Sequence, residues 1–410
     1  MPSLSDKLKA LGVKVGASEI QPNAAGKNHP PLEELLGGRW ISTRRGEAFV
    51  VEQVYSTEYK HGVVPIQIDA PLATLAAWAR DERISGFALS QFAFLDTETS
   101  GLSGGTGTYA FMVGVGRFVE NEFHLSIFFM QDPAEEPALL EALADFLAPC
   151  AALVTFNGKA FDAPLLRTRY ALNQIPCPFE GFSHVDLLPL ARRLWRDRLP
   201  SRALKYLEEQ ILSAPRSSEE VPGYEIPWLY FDFLRTGDAA PLKGVFYHNA
   251  MDVVAMAALL NLTAQMLSDP HGSHLEHGLD VIALAKLFED LHRWEDAALL
   301  YERGLKTSLP EPDFWQAVRR LSTLQRRRGN LETALRLWEQ AAAEGHIYAH
   351  VELAKYYEHT RKEPATAFAW TKGAIQHAQS ADLPPYIRQH WLDELEHRLG
   401  RLQAKVDQAA

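Results

Sequence analysis

The stretch FAFLDTETSGLSGGTGTYAF, Phe92–Phe111, decides the fold. Its first half is an apolar run ending in two carboxylates, Asp96 and Glu98, and its second half is a glycine-rich loop. Side chains alternate along a strand, so Phe92, Phe94, Asp96 and Glu98 share one face. Two acids one strand repeat apart repel each other and call for a cation. The stretch contains no Lys or Arg, and oxygen donors of this kind suit Mg²⁺ or Mn²⁺. Taken alone, Asp-x-Glu is more often the mark of a solvated strand end or a turn beside a helix cap. Gly104, Gly105 and Gly107 lack the spacing of the dinucleotide fingerprint, and no Gly-Lys-Ser/Thr follows, which excludes a P-loop. They read either as a structural turn or as a place where backbone can approach a nucleotide closely.

The surroundings extend this reading. FAFLD, TYAFMVGVGRFV and EFHLSIFFMQ follow one another with short polar connections and predict an antiparallel meander. From Pro133 helix and strand alternate. PAEEPALLEALADFLAP is a helix with an acidic first turn, AALVTF a short buried strand, DAPLLRTRYAL a helix and HVDLL a brief strand. Helical patterns follow around 188–211, and a long helix spans about 241–267. The pattern predicts an α/β domain with a mixed sheet, meander first and parallel strands after. Residues 1–85, an amphipathic helix, a polar linker and a strand-like segment, have no readable role. SDPHGSHLEHG, 268–278, reads as a solvated linker despite His271, His274 and His277.

From residue 279 to 410 the period is helical and repeats. LAKLFEDLHRWEDAALLYERGL, LSTLQRRRGNLETALRLWEQAA and LAKYYEHTRKEPATAFAWTKGA carry Ala297, Ala334 and Ala367 at the same place. The alanine offsets, 37 and 33 residues, lie near the 34 of a tetratricopeptide repeat. The expected domains are therefore 86–267, α/β, and 279–410, an all-α repeat array with a capping helix over about 384–404.

Bulk properties narrow the class. The chain has 410 residues, 47% hydrophobic and 23% charged, with a formal net charge of −11. That argues against a surface of uniformly positive potential, although a local basic strip remains compatible with nucleic acid. Cys150 and Cys177 are too few for a disulfide framework or a Cys-based zinc site. With no apolar leader and no window of about 18 apolar residues, the expectation is a cytoplasmic protein with no membrane partner.

Two further segments join the opening stretch. VTFNGKAFDAPLL puts Asp162 at a strand-to-helix turn, and FYHNAMDVVAMAALL puts His248 and Asp252 four apart on an apolar helix, facing one way. DTET, FNGKAFD and HNAMD resemble the Exo I, Exo II and Exo III motifs of the DEDD (DnaQ-like) exonucleases, which have an RNase H-like fold. The resemblance covers roughly residues 90–265. Together with the helical repeats it is similar to the YprB-type (MrfB) branch. One spacing departs. The histidine branch usually has four residues between His and the last Asp, and the tyrosine branch three between Tyr and Asp. Here His248 has three and Tyr247 four. Either side chain could stand beside the water; His248 is preferred because imidazole titrates near neutrality.

The resemblance implies a 3′–5′ exonuclease with two Mg²⁺ or Mn²⁺ ions. Asp96, Glu98, Asp162 and Asp252 would be metal ligands and His248 the proton acceptor. It favours DNA over RNA and a repair role, with a helicase or other protein partner on the repeats. An RNA exonuclease and a non-catalytic repeat scaffold are the alternatives. Candidate substrate contacts are Gly104, Gly105, Gly107, Asn157, Arg167, Arg192 and Arg193. The arginines belong to a basic strip over 163–206 that either follows phosphates or forms solvated helix faces. Asn157 would order the loop near Asp162, and Asp186 reads as an ordered acid rather than a ligand. Trp195 and Tyr206 would pack or stack on bases. Arg326–Arg328 is a second basic run at a repeat turn.

Overall fold

The computed structural model describes residues 30–101, 107–272 and 275–409. Gly104, Gly105 and His274 lie outside the described residues. The chain divides into two compact units: the described residues up to Ala191 with Ser201–Ser268, and Arg192–Pro200 with the chain from Asp269 onward.

The first unit is built on one mixed sheet. Its strands are β1 (Arg39–Thr43), β2 (Gly46–Ser56), β5 (Phe92–Thr99), β6 (Ala110–Val119), β7 (Glu122–Phe129), β8 (Ala152–Thr155) and β9 (Ser183–Asp186). Two-residue strands β3 (Lys60–His61) and β4 (Val64–Pro65) form a separate hairpin. The sheet order is β1-β2-β7-β6-β5-β8-β9. Every pair from β1 to β5 is antiparallel, while β5–β8 and β8–β9 are parallel. The strand-like pattern before residue 85 thus extends the meander, with Val51 opposite Ile127 across β2 and β7. Phe94 packs edge-on against Phe123 and Phe118, at 5.6 and 6.1 Å between ring centroids.

Among the longer helices, α1 (Glu136–Leu147), α2 (Asp162–Leu172), α3 (Leu187–Trp195), α4 (Ile226–Thr236) and α5 (Leu242–Ser268) follow the strands. α5 packs on β5, β6 and β7. Contrary to the reading of the sequence, this 27-residue helix is long and apolar enough to cross a membrane, yet 78% of its most apolar window is buried in protein. Burial against the sheet accounts for that composition. The sheet admits it because β6 carries glycine where α5 crosses. A Cβ on Gly114 would lie 2.0 Å from Asn249 Oδ1, and one on Gly116 would lie 3.0 Å from Val253 Cγ1.

The second unit is all-helical. It contains α6 (Gly278–Asp290), α7 (Trp294–Gly304), α8 (Glu311–Arg327), α9 (Leu331–Ala343), α10 (Ile347–Tyr356), α11 (Pro364–Ser380) and α12 (Pro385–Ala409). Consecutive helices pack as hairpins, α6 on α7, α8 on α9 and α10 on α11. Ala297, Ala334 and Ala367 are each 0% exposed, so the small repeat position is where paired helices touch. The last helix is tied by charge. Glu358, on a π turn after α10, meets Arg398 at 3.2 Å, Arg401 at 2.8 Å and Lys405 at 2.7 Å.

A titratable contact lies inside the sheet of the first unit. His184 Nε2 is 2.8 Å from Thr155 Oγ1, between β8 and β9. Burial, with Lys159 nearby, pushes its pKa down to about 4. An unfolded histidine titrates near 6.5. The contribution of neutral His184 is therefore complete above pH 6.5 and is lost as pH falls from 6.5 to 4. It amounts to ~3 kcal/mol by linkage. Urea unfolding at pH 7 and pH 4.5 should show a smaller acid loss in His184→Gln than in the native chain.

Candidate active site

The acids converge at one end of β5. Asp96 pairs across the ladder with Gly114 and Glu98 with Met112, and a bulge follows Glu98. The bare Cα of Gly114 leaves room for Asn249, whose Nδ2 donates to Asp96 Oδ2 at 2.8 Å. One residue earlier on α5, His248 Nε2 lies 4.0 Å from Glu98 Oε1 and 3.6 Å from Asp252 Oδ2. Helical spacing of four puts His248 and Asp252 on the face toward β5. Asp162 opens α2, where the helix dipole favours a negative charge, and the Thr97 hydroxyl donates to its Oδ1. Side-chain exposures of 13% at Glu98, 15% at His248 and 17% at Asp252 describe a recess that water can reach.

Charge crowding dominates this recess. Burial raises the Asp96 pKa well above the carboxylate range, and Asp252, Glu98 and Asp162 add to the effect. Burial pushes Glu98 up to about 7, against the pull of His248. Asp162 is raised by burial and opposed by Thr97; Asp252 is raised by burial and opposed by Arg216 and His248. Burial lowers the His248 pKa, but its hydrogen bond to Glu220, with Asp252 and Glu98, outweighs that and lifts it to about 9. Imidazole near neutrality, the ground for preferring His248, is therefore not its state in the free chain. The acids hold it as imidazolium.

Three residues outside the motifs complete the arrangement. Arg216, 2% exposed at its side chain, reaches Glu208, Asp252 Oδ1 and, at 2.9 Å, Glu220 Oε1. It occupies one oxygen of Asp252 and leaves the other toward His248. Glu220 Oε1 is 3.0 Å from His248 Nδ1, and Val221 O is 3.1 Å away. The two nearer contacts are acceptors, with Arg216 Nη1 farther off at 3.4 Å, so Nδ1 donates and Nε2 is aimed at the acids. Glu208 sits on a π turn, 208–212, and also meets His61 at 2.8 Å. Arg216 and Glu220 come from a loop without periodicity, so only their i, i+4 spacing was visible in sequence. Asn249 is part of HNAMD, but nothing local marks it as the donor to Asp96.

Tyr247 points elsewhere, its hydroxyl accepting from the Ser217 N–H at 2.9 Å. Asn157 has a left-handed φ of 69° and donates its N–H to Asp186 Oδ1 at 2.7 Å, while Lys159 N–H reaches Oδ2. Asp186 thereby orders the loop before Asp162. Gly107 lies in a turn where a Cβ would meet nothing within 4 Å.

The basic strip is not a track of free cations. Arg169 is a buried bidentate partner of Glu136, at 2.5 and 2.6 Å. Arg167 lies 3.7 Å from Glu180 and over the Phe179 ring. Arg193 pairs with Asp290 at 2.5 Å and Arg198 with Asp280 at 2.8 Å. Arg192 is exposed, but it and Arg193 group with the second unit, whereas the acids are all in the first. Trp195 is 1% exposed and is core. In the second basic run, Arg326 pairs with Glu352 at 2.5 Å.

Residues 93–264, which span all five clustered side chains, match the RNase H superfamily. The chain contains a domain of this superfamily, which points to a nucleic-acid hydrolase. Over its whole length it is similar to the uncharacterized protein YprB of Bacillus subtilis (strain 168). The two are 31% identical over 421 aligned positions, covering 98% of this chain and 99% of the relative.

Arg216 offsets three carboxylates inside the first unit. Arg216→Ala should destabilise the protein by roughly 3–5 kcal/mol, the cost of stranding buried charge. Chemical denaturation would read this as a fall in midpoint. A loss below ~1 kcal/mol would mean that the ion pairs are solvated.

Proposed function

We propose that the protein is a metal-dependent 3′–5′ exonuclease acting on DNA in preference to RNA, in cytoplasmic DNA repair. The observation that carries the reading is the electrostatic convergence of Glu98, Asp162 and Asp252 on Asp96 in a single recess beside His248. The polarity, the DNA preference and the repair role rest on likeness to the DEDD exonucleases and their YprB-type branch. The helical hairpins, read as tetratricopeptide repeats, would dock a helicase or another protein.

A hard dication fits these residues. Among the described residues no group of three or more His, Cys, Asp or Glu side chains is already gathered as a metal site. Yet Asp96 and Asp162 have no Lys, Arg or His at ion-pair distance among the described residues; burial raises both pKa values, with repulsion from Asp252, Glu98 and Asp162 at Asp96 and from Asp186 at Asp162. Unpaired oxygen donors in that state suit Mg²⁺ or Mn²⁺. Asp96, Glu98, Asp162 and Asp252 would hold the ions. When bound, such ions stabilise charge on the entering and leaving oxygens of a phosphodiester. The chain's own residues do the rest. Asn249 orients Asp96, and Thr97 orients Asp162. Glu220 holds the Nδ1 proton of His248 in either charge state, so that Nε2 is the atom able to exchange a proton with water above the acids. Arg216 keeps Asp252 from turning away.

Two measurements test this. Asp96→Asn should reduce hydrolysis of end-labelled DNA to background and, by relieving repulsion, raise the stability of the metal-free chain by about 1 kcal/mol or more. Mn²⁺ should raise the Tm of the native chain and leave that of Asp96→Asn unmoved. Activity persisting in Asp96→Asn or in EDTA would remove the reading. Absence of turnover in the native chain with either metal, on DNA and RNA, would favour the inert scaffold.

A further inference from the structure

We propose that the outward face of α4 is a stacking platform for the unpaired bases of a nucleic-acid end. The inference rests on the hydrolase reading and names the subsite that would hold the strand beside the acids.

α4, with the sequence IPWLYFDFLRT, is aromatic on both sides. Its inner face is accounted for by packing. Ile226, Tyr230 and Phe233 are buried, and the Tyr230 ring lies flat on Phe111, 3.9 Å between centroids and 4° between planes. Packing does not explain the outer face. Trp228 is 72% exposed and Phe231 46%, with centroids 6.5 Å apart, and Tyr224 just ahead of the helix is 71% exposed. Exposed aromatic surface on this scale marks an interaction site.

Three observations identify the occupant. The first is continuity with the acid recess. A groove of about 480 Å³ runs beside Phe231, lined by Ser100, Gly101, Tyr109, Tyr230 and Leu234. Ser100 is two residues beyond Glu98 in the same segment. On the other side, a Cβ on Gly223, the residue before Tyr224, would lie 3.9 Å from His248 Cε1. The aromatic segment thus adjoins the recess at both ends, through the groove at Ser100 and through Gly223 beside His248. The second is an orphaned polar group. Tyr230 is among the residues that line the groove; it is 1% exposed, and its buried hydroxyl has no hydrogen-bond partner among the described residues. The third is size. Three aromatic side chains offer ~150–250 Å² each at most, short of the ~800 Å² per partner of a stable protein interface. Flat rings near a phosphodiester site suit bases, each of which has a π face.

The test uses the full chain in EDTA, so that nothing turns over. Its probes are a fluorescent single-stranded oligothymidylate and an abasic oligomer of equal length, which keeps the phosphates and lacks the bases. The native chain should bind the oligothymidylate more tightly than the abasic oligomer. Trp228→Ala with Phe231→Ala should weaken oligothymidylate binding by about 10-fold or more and leave abasic binding unchanged. Trp228→Phe should restore most of the loss that Trp228→Ala alone causes, which a folding defect would not do. With Mn²⁺ added, the double variant should raise KM with kcat nearly unchanged. Equal losses on both probes, or no loss, would overturn the platform. So would native self-association that the double variant abolishes, since the face would then belong to a second copy. Discrimination between the probes without any hydrolysis by the native chain would instead sink the exonuclease reading and keep the platform.

Discussion

Four carboxylates held together against their own repulsion are the constraint around which the first unit is arranged. Left to water, Asp96, Glu98, Asp162 and Asp252 would separate. Backbone elements that cannot move independently prevent it. β5 carries two of the acids at one strand repeat, in register with β6 and β8. α2 starts on the third, and α5 carries the fourth in its third turn. The compensation for this crowding is uneven. Arg216 and His248 serve Asp252 and Glu98, while Asp96 and Asp162 receive only neutral donors, from Asn249 and Thr97. A site that spends its cations on one half and leaves the other with amide and hydroxyl partners is prepared for positive charge from outside.

The close approach of α5 to the sheet makes this geometry possible. Any side chain at Gly114 would displace Asn249 and with it the donor to Asp96. The apolar length of α5 has the same origin. Val253 to Leu260 are each 0% exposed, so the helix is anchored beyond Asp252 while His248 and Asp252 remain at the open end. One helix thus combines a rigid core segment with the side chains most dependent on position. The π turn at 208–212 is a local irregularity of the kind found at functional sites. It turns Glu208 toward both His61 and Arg216.

What the sequence revealed follows from period. Asp96 with Glu98 obeys the alternation of a strand, and His248 with Asp252 the spacing of a helix. Both pairs could be assigned a common face before any coordinates. The meander was legible for the same reason, and so was the helical region, where Ala297, Ala334 and Ala367 mark the tight contacts. What could not be read depends on partners distant in the chain. Nothing local shows that β2 adds to β7, that Arg216 reaches back to Glu208 and forward to Asp252, or that Glu220 sets the ring of His248. The same blindness made the 163–206 arginines look available. A sequence shows the charge of Arg169 or Arg193, whereas Glu136 and Asp290, which satisfy them, lie far along the chain.

Those satisfied arginines bear on how an acidic chain could hold a polyanion. Affinity for nucleic acid is commonly dominated by cation–phosphate contacts and the counterions they release. Here the net charge is −11, and the basic strip between the second and third motifs is largely committed to internal pairs. The recess itself repels phosphate until cations occupy it. Under the proposals above, two other sources serve binding, metal ions at the acids and apolar contact with the bases. The first acts only where the scissile bond sits, and the second needs flat, exposed surface next to it. Trp228, Phe231 and Tyr224 supply that surface on the segment that follows the His248 contact at Gly223. A strand gripped by its bases and not by its phosphates must present those bases unpaired. Under the proposed platform, the charge distribution of the chain favours an unpaired end over a duplex.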